Sequence, residues 1–464
     1  MQLIDDREIP QKTWHAVGDA YAPGRINLIG EHTDYNGGKV LPFAMDLGLN
    51  LSLFATEGVV TKAEDSVTFV SSLGQKGVLK IHGDELERLA SLVAPRSEDL
   101  RPHLAPGLAQ SWVRYVVGAL AWHQRSLKAR GEHLPQPRMQ HLQISSDLFI
   151  GAGISSSAAL STGILGLMAR CDKLQLGLPE LARQAMFIEH QFSGTRCGLM
   201  DQLAVAMSEK GSLLLIDFKD LKAKDEVTTR SVHPHPSFAA YRPVLINTKV
   251  KHELGNSPYN ERRQSCEDGL AAIDRALGLD CNSLGHLAAN KEFLGDFAPD
   301  GQQATLARSL AERIFAQDLT VSRRVAHAIM ETGRVDQAVK ALEQGDLSGL
   351  TTAINASHLS LKDDYEVSCV ELDLIREEAL ASAAQIARHR RLDAPAILGA
   401  RMTGGGFGGS TIQLVHHSII ADLQEALTRP GSKYHAVTGL LPDVIATQFS
   451  PGLRVTINQQ RPVL

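Results

Sequence analysis

Several features that place a chain quickly are missing from this one. No apolar run approaches the roughly 18 uninterrupted residues of a membrane-spanning helix, so no membrane association is expected. Neither charge sign dominates: the net charge is −5 over 464 residues. Nucleic-acid binders usually carry a basic footprint, so no nucleic-acid partner is expected. Cysteine is sparse, with Cys171, Cys197, Cys266, Cys281 and Cys369 scattered and no C-x-x-C pair. That excludes an obvious disulfide framework or zinc knot and fits reduced thiols in the cytoplasm. The opening MQLIDDREIPQKTWHAVGDAY is acidic and has no apolar core segment, so no secretory signal is expected. There is no internal repeat and no low-complexity tract.

What remains is globular. Hydrophobic residues make up 43% and charged residues 21%, enough for a sizeable core. At about 150 residues per domain the length suggests two or three units, and two are expected. The polar stretch Lys222–Ser237 is the candidate division, giving units 1–235 and 236–464. Strand-like segments include Leu142 and Ile144 with their polar neighbours, Leu213–Phe218, Ser410–Val415 and Arg454–Ile457. Helices are expected over Ala158–Arg170, Leu181–Gln191, Leu306–Gln317 and Val321–Leu342. Both types occur without strict alternation, which points to an α+β fold. The cluster Arg388–Arg391 fits a solvated helix end.

Three glycine-bearing segments stand out. Gly151-Ala152-Gly153-Ile154-Ser155-Ser156-Ser157-Ala158 follows a strand and opens an apolar helix. Glycine allows close backbone approach, and a helix start offers N–H groups and the positive dipole end to an anion. Serines there cap N–H groups, and their hydroxyls suit a phosphate-bound Mg²⁺. By itself the segment is equally an ordinary Gly/Ser turn, and it lacks the lysine of a Walker A loop. The second segment, Gly24 to Gly38, packs Arg25, Asn27, Glu31, His32 and Asp34 between glycines. Such a lining suits a sugar, whose hydroxyls both donate and accept; a polar surface loop is the plainer alternative. The third, Arg401–Ser410, has five glycines in the six positions 404–409, costly in chain entropy unless unusual torsions or a close approach require them.

Together these segments resemble a galactokinase of the GHMP small-molecule kinase superfamily, over roughly Tyr21 to Val415. GRINLIGEHTDYNGGKVLP resembles the galactokinase signature, GAGISSSAAL the ATP-binding motif and TGGGFGGST the third motif. CGLMDQ (Cys197–Gln202), VKHELGNSPYNERRQSCE (Val250–Glu267) and SHLSLKDDYEVSCVELD (Ser357–Asp373) extend the likeness. The chain departs from the family at Phe149 (usually Pro), Ile154 (usually Leu) and Ser410 (often Cys), none of which removes a group the chemistry needs.

The resemblance implies a two-domain α+β GHMP kinase fold. Its N-terminal domain would be ribosomal-S5-domain-2-like, its C-terminal one ferredoxin-like, with the active site between them. It implies phosphorylation of the anomeric hydroxyl of α-D-galactose with ATP and Mg²⁺. Asp201 then faces that hydroxyl, with Arg25 beside it and the transferred group. Glu31, His32, Asp34, Gly198 and Tyr259 contact the sugar. Gly151, Gly153, Ser155, Ser156, Ser157 and Ala158 cradle phosphate, and Trp112, with Tyr115, lies near the nucleotide. Ser156 is the first choice for the metal-side serine, Ser155 and Ser157 being the alternatives, and Glu189 completes the metal site. A core aromatic pair is the other reading of Trp112 and Tyr115. The stretch Ala381–Ala394 looks like a surface insertion. A monomer with no protein partner is expected. The competing functions are a kinase of N-acetylgalactosamine, arabinose or a uronic acid, and a silent sensor of ATP and galactose. The intact serine loop, Arg25 and Asp201 disfavour the sensor.

Overall fold

The computed structural model describes residues 1–72, 77–94, 99–104, 112–131, 136–149, 153–251 and 258–458. A seven-stranded sheet runs in the order Gln2–Ile4, Val78–His82, Val67–Ser72, Met139–Ser146, Pro42–Ala55, His15–Asn27, Arg454–Ile457. Its two longest strands, His15–Asn27 and Pro42–Ala55, pair antiparallel until the register slips between Pro23 and Arg25. A bulge of this kind bends a strand and re-aims the next side chain. Gly24 sits at the slip because a Cβ there would lie 2.8 Å from Leu148 Cδ2. Pairing resumes at Arg25, opposite Ala44.

The Ser156–Cys171 helix lies across these two strands. Nearly all of it is buried, which is why its sequence is apolar all round and shows no amphipathic stripe. Gly163 permits the close approach, since a Cβ would stand 2.6 Å from Leu51 Cδ1 and 2.8 Å from Ala22 Cβ. A smaller sheet joins Lys39–Val40, Leu213–Asp217 and Thr228–Val232. A four-stranded sheet is ordered Ile397–Thr403, Gly408–His416, Tyr241–Lys251, Asp443–Ala446. One continuous core runs from Val17 and Leu51 through Val335 to Leu398, Leu414 and Ile445, so both halves of the chain share it.

Three expectations need correction. The Lys222–Ser237 stretch is no linker, because Thr228–Val232 pairs along its length with Leu213–Asp217. The chain's end also crosses the expected 235/236 division. Arg454–Ile457 pairs with Gly18–Tyr21 and covers what would otherwise be an open sheet edge. The helix expected to reach Gln191 ends at Ile188 and passes into a π turn over Glu189–Ser193. Ala381–Ala394 begins as the last turns of the Val370–Arg390 helix and lies largely at the surface, with Ala383 alone buried against the four-stranded sheet's core. The Arg388–Arg391 cluster does end that helix in solvent, with Arg390 paired to Asp422. Among the described residues no helix is long and apolar enough to cross a membrane.

Candidate active site

Two side chains from distant parts of the chain meet at the centre. Arg25, just past the bulge, donates Nε–H to Asp201 Oδ1 at 2.6 Å and Nη2–H to Oδ2 at 2.8 Å. Asp201 stands in the first turn of the Met200–Met207 helix. A bidentate fork of this kind fixes a carboxylate in plane as well as in place. Arg25 also donates Nη1–H to the Gly153 carbonyl at 2.7 Å, tying the pair to the glycine–serine loop. The Ser155 hydroxyl donates to Asp201 Oδ2. Arg25 is buried beside Asp201, Glu31 and Asp34, and although desolvation opposes it, these carboxylates hold the guanidinium's pKa above its usual value.

Glu31, His32 and Asp34 sit on the loop between His15–Asn27 and Lys39–Val40. It turns sharply, with Gly30 at φ +103°, His32 at +62° and Gly37 at +73°. His32 places Nδ1 2.7 Å from the Tyr35 hydroxyl, and burial drives its pKa down to about 3, so the ring is neutral. Asp34 is buried, and desolvation with the nearby Asp201 charge lifts its pKa to about 6. Gly198 makes room for it: a Cβ there would lie 1.7 Å from Asp34 Oδ2. Glu31 Oε1 accepts from Thr403 Oγ1 at 2.9 Å and from Gly404 N–H at 2.8 Å, with Arg401 Nη2 3.4 Å away. The third glycine segment therefore holds the second one.

The phosphate-side expectations fare unevenly. Ser155 occupies the N-cap of the Ser156–Cys171 helix in the left-handed region, φ 54°, and makes no side-chain cap bond. Its hydroxyl donates to Asp201, and its oxygen accepts from none of the first-turn N–H groups. The serine bonded to Glu189 is Ser157, one of the two alternatives to Ser156. A helix advances about 100° per residue, so adjacent serines face different directions. Glu189 is buried at the start of the π turn, and desolvation lifts its pKa to about 7 despite the Ser157 hydrogen bond. The Glu189 carboxyl oxygens beside the Ser157 hydroxyl are hard donors of the kind Mg²⁺ takes together with water and substrate phosphates. Among the described residues no three His, Cys, Asp or Glu side chains form a metal cluster.

Arg25, Glu31, His32, Asp34, Ser157, Glu189, Gly198, Asp201 and Tyr259 line one cavity of about 290 Å³. Ala158 is buried in the core beneath it. Trp112 packs on the core too, and Tyr115 bonds Ser193 at 3.1 Å, so neither lines the cavity. Gly151 lies outside the described residues. Arg401, Thr403, Cys197 and Asn260 lie in stretches singled out from the sequence, but none was given a role at this site, because their proximity arises only when distant segments pack together.

Residues 114–209 match the model of the GHMP kinases N terminal domain, and the chain has the GHMP kinase fold. The protein is a GHMP kinase. Residues 12–52 match the galactokinase galactose-binding signature. A curated galactokinase of Exiguobacterium sibiricum is 31% identical over 449 residues, covering 95% of this chain and 96% of the relative. One from Chloroflexus aurantiacus is 36% identical over 85% of this chain and 83% of its own length. The crystal structure of Lactococcus lactis galactokinase complexed with galactose superposes with a TM-score of 0.70 at 28% identity, covering 94% of this chain and 95% of that one. The chain belongs to the galactokinase family.

Proposed function

We propose that this enzyme transfers the γ-phosphoryl group of ATP to the anomeric hydroxyl of α-D-galactose, giving galactose 1-phosphate and ADP. The observation that carries the reading is the Arg25–Asp201 pair, bonded to Ser155, which shares one cavity with Glu31, His32 and Asp34. In phosphoryl transfer the protein's work is positioning and charge neutralisation. Asp201 receives or orients the C1 hydroxyl proton, while Arg25 holds the Asp201 carboxylate in place and offsets charge on the moving group. Glu31, His32, Asp34 and Tyr259 present the acceptors and donors that fix the hexose, with Gly198 giving Asp34 its space. The start of the Ser156–Cys171 helix receives the phosphates, its N–H groups and dipole favouring the anion.

Glu189 and Ser157 are the residues that would hold Mg²⁺, which when bound screens phosphate charge from the incoming oxygen. The same reading has the enzyme working as a monomer in the cytoplasm, which sedimentation of the purified protein and fractionation of cells check. The deciding experiment is ADP release with ATP and a panel of sugars: galactose, N-acetylgalactosamine, arabinose and a uronic acid. Galactose is expected to be the preferred acceptor. Another sugar in its place overturns the specificity, and binding of galactose and ATP without ADP release overturns the catalytic reading.

A further inference from the structure

The sugar-side loop is held from behind by a helix that takes no part in lining the cavity. Gly30 and His32 both have positive φ, a conformation an L side chain such as His32 adopts only where its surroundings over-determine it. The Leu319–Gln344 helix supplies two of those constraints from one face, four residues apart. Glu331, fully buried, accepts the Gly30 N–H on Oε1 at 3.1 Å. The same oxygen accepts the Ser357 hydroxyl, and Oε2 accepts Arg334 Nε–H. His327, also fully buried, pairs Nδ1 with the Ser360 hydroxyl at 2.7 Å. Its Nε2–H is then left to donate to the Glu31 carbonyl at 3.2 Å. The backbone is thus gripped on both sides of Glu31, while Thr403 and Gly404 hold the Glu31 side chain.

We propose that Glu331 and His327 are positioning residues that set the geometry of the sugar-lining loop Gly30–Asp34, so that sugar recognition depends on a helix that never touches the sugar. The inference rests on the galactose-kinase reading above. The residue types follow from the donors present. Glu331 faces three donors, which only an acceptor-only group satisfies. A glutamine would turn an NH₂ toward one of them and leave a buried group unpaired.

The test is steady-state kinetics on full-length wild type, Glu331→Gln, His327→Leu and His327→Gln, each substrate varied in turn. Small displacements at a reacting centre are costly in rate. Glu331→Gln and His327→Leu are therefore expected to lower kcat/KM for galactose by about tenfold or more, while KM for ATP stays within about twofold. His327→Gln, whose amide can still donate near the Nε2 position, is expected to recover most of the loss. A residue that only supports the fold would lower melting temperature or yield and leave the folded fraction's sugar KM unchanged. Unchanged galactose kinetics in both Glu331→Gln and His327→Leu overturn the proposal. Should Glu331→Gln fail to fold, the two His327 variants decide alone. An active wild type with unaffected variants sinks only this inference. A wild type inactive on every sugar sinks the functional reading and this inference with it.

Discussion

Asp201 is the residue on which the chemistry turns. General-base assistance is typically worth about 10²–10⁴-fold, so Asp201→Asn is expected to lower kcat by roughly that factor with little change in ATP affinity. Single-turnover rates beside a nucleotide-binding titration check it, and near-normal turnover rejects the assignment. Asp34 supplies a pH dependence whose sign is fixed. Its folded pKa of about 6 lies above the ordinary 3.8, so its ionised form is disfavoured by folding. Relative stability from this group is full below the ordinary value and lost as pH rises through about 6. Asp34→Asn is accordingly expected to raise the melting temperature at pH 8, and the gain should vanish below about pH 4. In the wild type, kcat/KM for galactose should fall as pH drops through about 6, because protonation removes an acceptor from the sugar pocket. Gly198→Ala is expected to abolish galactose binding by calorimetry, since the new methyl would occupy the place of the Asp34 carboxylate.

Elements decide which of several similar residues does the work. Three consecutive serines open one helix, and sequence alone ranked Ser156 first for the metal. At the helix start Ser155 bonds Asp201 and Ser157 bonds Glu189, which favours Ser157 as the serine that would meet the metal. Glu189 owes its place to the π turn, a local widening that often marks functional sites. Glu189→Gln and Ser157→Ala are expected to raise the Mg²⁺ concentration for half-maximal rate by about ten- to a hundredfold, whereas Ser156→Ala stays near wild type. Titrating Mg²⁺ at fixed ATP and galactose tests this. Equal effects of the two serine variants would remove the distinction.

Across the whole molecule, the chain closes on itself. Arg454–Ile457 completes the N-terminal sheet, and Leu453 packs where a Cβ on Gly166 would lie 2.4 Å from its Cδ2. Ending the chain at Gly452 is expected to expose the edge of His15–Asn27, lower the melting temperature and promote aggregation. Calorimetry and light scattering provide the check, and an unchanged transition would show that the pairing contributes nothing. Glu31 makes the other long-range tie, linking the second glycine-bearing segment to Thr403 and Gly404 across the shared core. A ligand that binds between such segments stabilises by mass action, about 2.7 kcal/mol at a hundredfold excess over Kd.

The amino-acid order by itself determined the local chemistry: a serine-opened helix, a loop dense in ionisable groups, and a glycine cluster requiring unusual torsions. Helix and strand periods are short-range properties, so Ser156–Cys171, Leu213–Asp217 and Arg454–Ile457 were legible from their own residues. Only the tertiary structure decided that Arg25 grips Asp201 across 176 positions, that Glu31 is claimed by Thr403 and Gly404, and that the last strand returns to the first sheet. Those pairings depend on shared burial and on satisfying buried charges across the fold. No window of consecutive residues contains both partners.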